Sequence, residues 1–254
     1  MPDFVPVKAL KKEPLRASCA IDCAQHCPMD ILLEELHEMG DVDVLVVGVG
    51  ECAYYSRKMP FSGGRRNWAY QLEDREIIFG ELSGLDAALA RLAEDNRAAV
   101  CISTCVPSIM HLAVPELIAR KYPSVACVEA PSFQGISPTD SLETLYCALL
   151  AGAPAGQDAG VAVWDEAPAG LAALRERLRA GVHIVRSRRF LGLLRERERA
   201  GAGVWLDDYS FHPLDWYARH AQTLRLPGGT LEAMDARTRA GGPGPSRSAR
   251  SVRL

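Results

Sequence analysis

The stretch Asp41-Val-Asp-Val-Leu-Val-Val-Gly48-Val-Gly-Glu-Cys52 decides the fold. Residues 41–48 are a short, β-branched apolar run ending in glycine, the pattern of a strand buried on both faces. Such a strand belongs to a parallel sheet, so helices are expected around it. Upstream, Ile31, Leu32, Leu36 and Met39 stand at helical spacing, and Pro28 occupies a position where the first helical turn tolerates proline. Downstream, the periodicity predicts a weak strand over 76–79, a helix over 83–96, a strand over 98–103, a helix over 107–121, a strand over 125–129 and a helix over 138–150. After the small-residue stretch Ala151 to Gly160 it predicts a strand over 160–164, a helix over 168–179, a strand over 182–185, a helix over 188–200 and a strand over 203–206. This alternation is that of βαβ units, so the expected fold is α/β with a doubly wound, mostly parallel sheet of Rossmann-like type. The stretch 151–160 either separates two subdomains or is a long loop within one sheet. The expected organisation is an N-terminal extension (1–18), a first α/β domain (19–152), a second α/β unit (160–226) and a tail (227–254). The tail is rich in Gly, Pro, Ser and Arg without an apolar period and is expected to be disordered.

Of 254 residues, 48% are hydrophobic and 24% charged, enough to bury one or two cores. No run approaches the ~18 apolar residues of a membrane span, and no apolar segment follows the N-terminal lysines as it does in a secretory signal. A cytoplasmic protein is expected. The net charge is −3, but residues 237–254 hold five arginines and no acid, which leaves −8 on residues 1–236. An acidic body argues against nucleic acid as a partner.

Eight cysteines in a reducing compartment point to metal binding or catalysis rather than to disulfides. Cys52 and Cys105 each follow a predicted strand, at the carboxyl end where open α/β sheets bind their cofactors. Cys27 begins a helix, where free N–H groups and the helix dipole favour the thiolate that a metal needs. The alternative is burial as small hydrophobes, which explains Cys101, Cys127 and Cys147 within strand and helix patterns. Zinc fits poorly, since no C-x-x-C pair exists and no histidine stands at finger spacing. The run Cys19-x-x-x-Cys23-x-x-x-Cys27 only loosely matches a radical-type iron–sulfur motif. Soft thiolates spread over separate loops suit an iron–sulfur cluster, which normally has four ligands. If three converge from this chain, the fourth comes from another chain, or from Cys19, Cys23 or His26.

The ordered set of segments resembles component 1 of nitrogenase and the nitrogenase-like reductases, dark-operative protochlorophyllide reductase among them. The stretch Cys27-Pro28 through Gly48-Val-Gly-Glu-Cys52 resembles, without a gap, the span between the first and second cluster cysteines of the protochlorophyllide enzyme's N subunit. The run from Gly48 to Ser56, followed by Gly64-Arg65-Arg66-Asn67, is similar to the nitrogenase α-subunit pattern of a Gly-rich turn, a cluster cysteine, an aromatic and GRRN. Residues Arg75 to Glu81 resemble the family's D-I-V-F-G-G segment, and Ile102-Ser-Thr-Cys105-Val-Pro107 its cluster loop. The run Glu129-Ala-Pro-Ser-Phe133-Gln-Gly135-Ile-Ser resembles its E-G-F-R-G-V-S loop. These matches cover about residues 19 to 150.

The resemblance implies that Cys27, Cys52 and Cys105 are ligands of an iron–sulfur cluster of the [4Fe–4S] kind at a subunit interface. It implies a homologous subunit or a second copy as partner and an ATP-dependent iron protein as electron donor, in an oxidoreductase that passes electrons to a bound substrate. A non-catalytic scaffold for metallocofactor assembly is the alternative. Family subunits are about twice this length, and nothing after Gly160 matches the regions that supply a cysteine and a histidine to the iron–molybdenum cofactor. Dinitrogen reduction by this chain is therefore not expected. Ser137-Pro138-Thr139-Asp140 stands where several relatives carry basic residues or histidines.

Three further groups are weighed against simple solvation. Arg65 and Arg66 beside Trp68 would suit an anionic group or an acidic redox partner. Asp207, Asp208 and His212 follow a predicted strand and would suit a metal or acid–base chemistry, though such ends also serve as turns. Arg186, Arg188 and Arg189 at a predicted helix start would suit a phosphate.

Overall fold

The structure is a computed structural model that describes residues 4–6, 27–57, 64–95, 97–134, 136–153, 158–164, 170–185, 187–199 and 201–207. In chain order its elements are β1 (Phe4–Pro6), α1 (Pro28–Met39), β2 (Asp43–Gly48), α2 (Gly50–Ser56), β3 (Asn67–Gln71), α3 (Asp74–Phe79), α4 (Ser83–Ala93), β4 (Ala99–Ser103), α5 (Cys105–Ile109), α6 (Val114–Lys121), β5 (Val125–Glu129) and α7 (Pro138–Leu150). There follow β6 (Asp158–Trp164), α8 (Leu171–Arg177), β7 (Ala180–Val185), α9 (Leu191–Arg199) and β8 (Gly203–Asp207), with short 3-10 turns at Ser132–Gln134 and Arg188–Phe190. One sheet has the order β3-β2-β4-β5, every pair parallel. The other has the order β1-β8-β7-β6, with β6, β7 and β8 parallel and β1 antiparallel on its edge. The α/β fold with doubly wound, mostly parallel sheets is the one the sequence predicts. Within the expected extension 1–18, Phe4–Pro6 pair with β8, and the tail 227–254 lies outside the described residues.

The period of two sorts the first sheet's side chains between two cores. Val44, Val46, Val100, Ile102 and Val128 face a core shared with α1, α7, α9 and Trp164. Leu45, Val47, Cys101 and Val125 face the opposite core, built with α4 and α6. All six residues of β2 are buried, as its unbroken apolar run requires.

Two predicted elements are corrected. The apolar run 76–79 is not a strand but the end of α3. Glu73 and Glu76 form a capping box, with the Glu76 carboxylate accepting the Glu73 N–H at 2.9 Å, and Gly80 ends the helix at φ 70°. Local capping overrides the β propensity of Ile77 and Ile78, and the sheet's edge strand comes earlier, at 67–71. The helix predicted over 107–121 is two helices. His111 takes a left-handed φ of 51°, and Pro115, which has no N–H to donate, sits in the first turn of α6.

Two charged clusters tie the layers together. Asp43, with no exposed surface, accepts the Arg66 N–H at 2.9 Å and the Arg66 guanidinium at 2.8 Å, and Arg97 approaches to 3.3 Å. Glu35 of α1, also buried, receives both the Tyr146 hydroxyl of α7 and Arg189, the latter at 2.7 Å.

On β7, buried His183 accepts the Trp164 indole N–H on Nδ1 at 3.1 Å, which leaves the ring proton on Nε2. Burial, with a smaller push from Arg197, lowers its pKa to about 4. The unfolded chain takes up a proton near pH 6.5 and the native ring does not, so this contribution is present above pH 6.5 and is lost as pH falls toward 4. The difference between about 4 and 6.5 is worth roughly 3 kcal/mol. Urea melts of wild type and His183→Gln between pH 7 and pH 4.5 should show a steeper acid loss in the wild type; parallel curves would contradict this.

Candidate functional site

The site lies at the carboxyl ends of β2, β4 and β5. Strand β2 ends at Gly48, and its chain turns into α2 with Cys52 in the first helical turn. A Cβ on Gly48 would stand 3.2 Å from the Cys52 sulfur, 3.0 Å from its Cβ and 2.3 Å from the Thr104 hydroxyl. Only glycine lets the end of β2, the Cys52 thiol and the end of β4 meet here. Thr104 seals the contact, its N–H and hydroxyl both donating to the Val47 carbonyl, at 3.0 and 2.9 Å.

Cys105 opens α5, directly after Thr104. Its sulfur accepts the Ser132 N–H at 3.2 Å and lies 2.9 Å from the Ser132 hydroxyl, so the loop beyond β5 holds it in place. Ser108 braces the same end, donating to the Thr104 carbonyl or to Glu129.

Cys27 caps α1 from the extended region, followed by Pro28 in the first turn. The net effect is a raised thiol pKa, against the expectation from the helix start: burial outweighs the downward pull of the Met29 and Asp30 N–H groups, and negative charge on Asp30 and on Cys105 adds to the rise. Only residues 40–42 separate α1 from β2, so the helix runs back along the strand and its start, with Cys27, stands at the strand's carboxyl end. Cys27 and Cys52 both stand half-buried against the main core. A helix start, two strand ends and one serine loop thus bring Cys27, Cys52 and Cys105 to a single end of the sheet.

Among the described residues, no group of three or more His, Cys, Asp or Glu side chains is gathered tightly enough for a single metal ion. A four-iron cluster places its thiolates on separate irons and asks for a wider set. The donors present fit it: soft sulfur, the Ser132 N–H on Cys105, a helix start at Cys27 and glycine beside Cys52.

The segments that carry these cysteines also carry exposed apolar side chains. They are Tyr54 and Tyr55 on α2, Ile109 and Met110 at the end of α5, and Phe133 beside Ser132, each between 45% and 61% exposed.

Other expected residues are placed elsewhere. Arg66 is not free for an anion: it is bound to Asp43, donates to the Arg91 and Leu92 carbonyls and lies 4.8 Å from the Trp68 ring. Arg65 precedes β3. Arg189 pairs with Glu35 rather than facing a phosphate. Cys101 is buried as expected, and Cys127 and Cys147 are half-buried. Cys19, Cys23, His26, Arg186, Asp208 and His212 lie outside the described residues, and Asp207 ends β8. Gly48, Thr104 and Ser132 are the contributors that sequence reasoning did not single out. Their signal is present in small and hydroxyl residues at the ends of adjacent strands, but their partners lie far away in the chain.

No family model and no curated protein matches the sequence. Among solved structures, the chain is similar to one described as nitrogenase Cp1 at pH 5, with a TM-score of 0.61 and 12% identity over 94% of this chain. The chain spans 61% of that protein's length. At this identity the likeness is one of fold.

Proposed function

We propose that the chain is an oxidoreductase subunit of nitrogenase-like type. It holds a [4Fe–4S] cluster at an interface and relays electrons from an ATP-dependent iron protein to a substrate bound in the assembly. The observation that supports this reading is the placement of Cys52 and Cys105 after the ends of adjacent strands, with Cys27 at the start of α1, in a chain whose fold is similar to that of nitrogenase Cp1. Bound there, the cluster would supply one-electron transfer at a potential set by its surroundings.

The chain's own residues would do the tuning. The N–H and hydroxyl of Ser132 hold the Cys105 sulfur, and hydrogen bonds to a ligand sulfur favour its charge. The dipole at the start of α1 acts on Cys27 in the same sense. Three thiolates from one chain leave the fourth ligand to a homologous subunit or a second copy. The exposed Tyr54, Tyr55, Ile109, Met110 and Phe133 offer the apolar surface such a partner would cover.

The test is ATP-dependent reduction. Anaerobically purified protein, mixed with a reduced iron protein of the nitrogenase-like kind and MgATP, should lose part of its visible absorbance, and MgADP should not substitute for MgATP. Transfer of its iron to an acceptor apoprotein without any ATP-dependent bleaching would contradict the relay and favour a scaffold for metallocofactor assembly.

A further inference from the structure

A second sulfur pair lies outside the candidate site. Cys101 on β4 and Cys127 on β5 are register partners on parallel neighbouring strands. Such partners point to the same face, with backbones about 4.8 Å apart. That separation falls within the Cα range of roughly 4.4–6.8 Å that a disulfide spans. Both side chains lie in the core between this sheet and the helices α4 and α6.

The two sulfurs differ in access. Cys101 is fully buried, whereas Cys127 is half-buried on the sheet's edge strand. The neighbouring Cys101 thiol lowers the Cys127 pKa, against burial and the carboxylates of Glu129 and Glu116. The more accessible sulfur is the one an oxidant meets first, and the hidden one stands at the paired register position beside it.

We propose that Cys101 and Cys127 form an oxidisable dithiol that closes to a disulfide on reaction with a small hydroperoxide. The Cys127 thiolate attacks one peroxide oxygen, the O–O bond breaks, and the departing oxygen takes up a proton to leave as water when the oxidant is hydrogen peroxide. Cys127 becomes a sulfenic acid. The Cys101 sulfur then attacks it, the S–S bond forms, the S–O bond breaks, and hydroxide leaves with the Cys101 proton as a second water. Two thiols lose two electrons and one peroxide gains them. The product is neutral, which suits an apolar surrounding beside two glutamates better than a thiolate does. The new bond would tie together β4 and β5, the strands that lead to Cys105 and Ser132.

The experiment treats the full-length protein, handled anaerobically, with a small excess of hydrogen peroxide. Remaining thiols are alkylated, the protein is digested, and tandem mass spectrometry locates the linked residues. The expected result is a Cys101–Cys127 linkage lighter by two hydrogens, reversed by dithiothreitol, absent in Cys127→Ala and in Cys101→Ala, and retained in Cys147→Ala. The wild-type linkage map decides even if the buried Cys101→Ala variant fails to fold. Alkylation of both cysteines after peroxide treatment, or a linkage of Cys127 to any other cysteine, would overturn the proposal. The readout is a residue map and does not depend on whether an iron–sulfur cluster is present.

Discussion

Cys27→Ala, Cys52→Ala and Cys105→Ala should each purify anaerobically with most of their iron and acid-labile sulfide gone, while Cys147→Ala retains the wild-type content. The first three sulfurs sit at a helix start and two strand ends, with the Ser132 N–H on Cys105 and Gly48 beside Cys52. Cys147 is on α7, and burial, followed by the nearby Glu143 and Glu196, pushes its thiol up to about 11. Cys147 stands within α7 rather than at a strand end, with two carboxylates beside it. Cys52→Ala also leaves the Gly48–Thr104 contact in place, so its loss of iron would not reflect unfolding; circular dichroism should show an unchanged fold. Wild-type iron content in Cys52→Ala would remove that ligand from the set.

Asp43→Ala should cost about 3–5 kcal/mol, read as a lower urea midpoint at an unchanged slope, because breaking a buried ion pair leaves uncompensated charge. Asp43 has no exposed surface and meets two guanidiniums, of which Arg66 is mostly buried and Arg97 more open. Through Arg66 it also reaches the carbonyls of Arg91 and Leu92 at the end of α4. The carboxylate thus fastens the entry to β3 and the end of α4 to the strand that delivers Gly48 and Cys52. Against a total stability of roughly 5–15 kcal/mol, such a loss is a large share. A change below about 1 kcal/mol would mean that the pair behaves as a surface ion pair does.

The elements legible in the sequence are those whose burial is uniform or strictly periodic. Strands β2 and β4 are buried at every residue, so an apolar run marks them without reference to neighbours. In α7, Ser137 accepts the Asp140 N–H at 3.1 Å and Pro138 begins the first turn, so its start is written locally. Where two local signals competed, the reading failed. The run Glu76-Ile-Ile-Phe79 has strand composition, yet the capping box makes it helical, and Ile78 and Phe79 end up 67% and 73% exposed. The edge strand β3 has no fully buried residue, so nothing in Asn67–Gln71 announced it.

At the site, the positions of Cys52 and Cys105 followed from strand ends alone, because a parallel sheet gathers those ends on one side. The serine that holds Cys105 did not follow from them. Ser132 meets that sulfur across 27 residues of chain, a contact set by the pairing of β4 with β5 rather than by local pattern. Arg66 was misread for the same reason. Its acidic partner lies 23 residues earlier, inside what reads as an ordinary apolar strand.

Native mass spectrometry of anaerobically purified wild-type protein, beside Cys105→Ala, tests the central claim most directly. The expected wild-type species is an assembly of this chain with a partner subunit or a second copy, carrying the added mass of a four-iron, four-sulfide cluster, and the expected Cys105→Ala species lacks that added mass. A wild-type spectrum showing only the bare single chain, with neither iron nor sulfide, would contradict it.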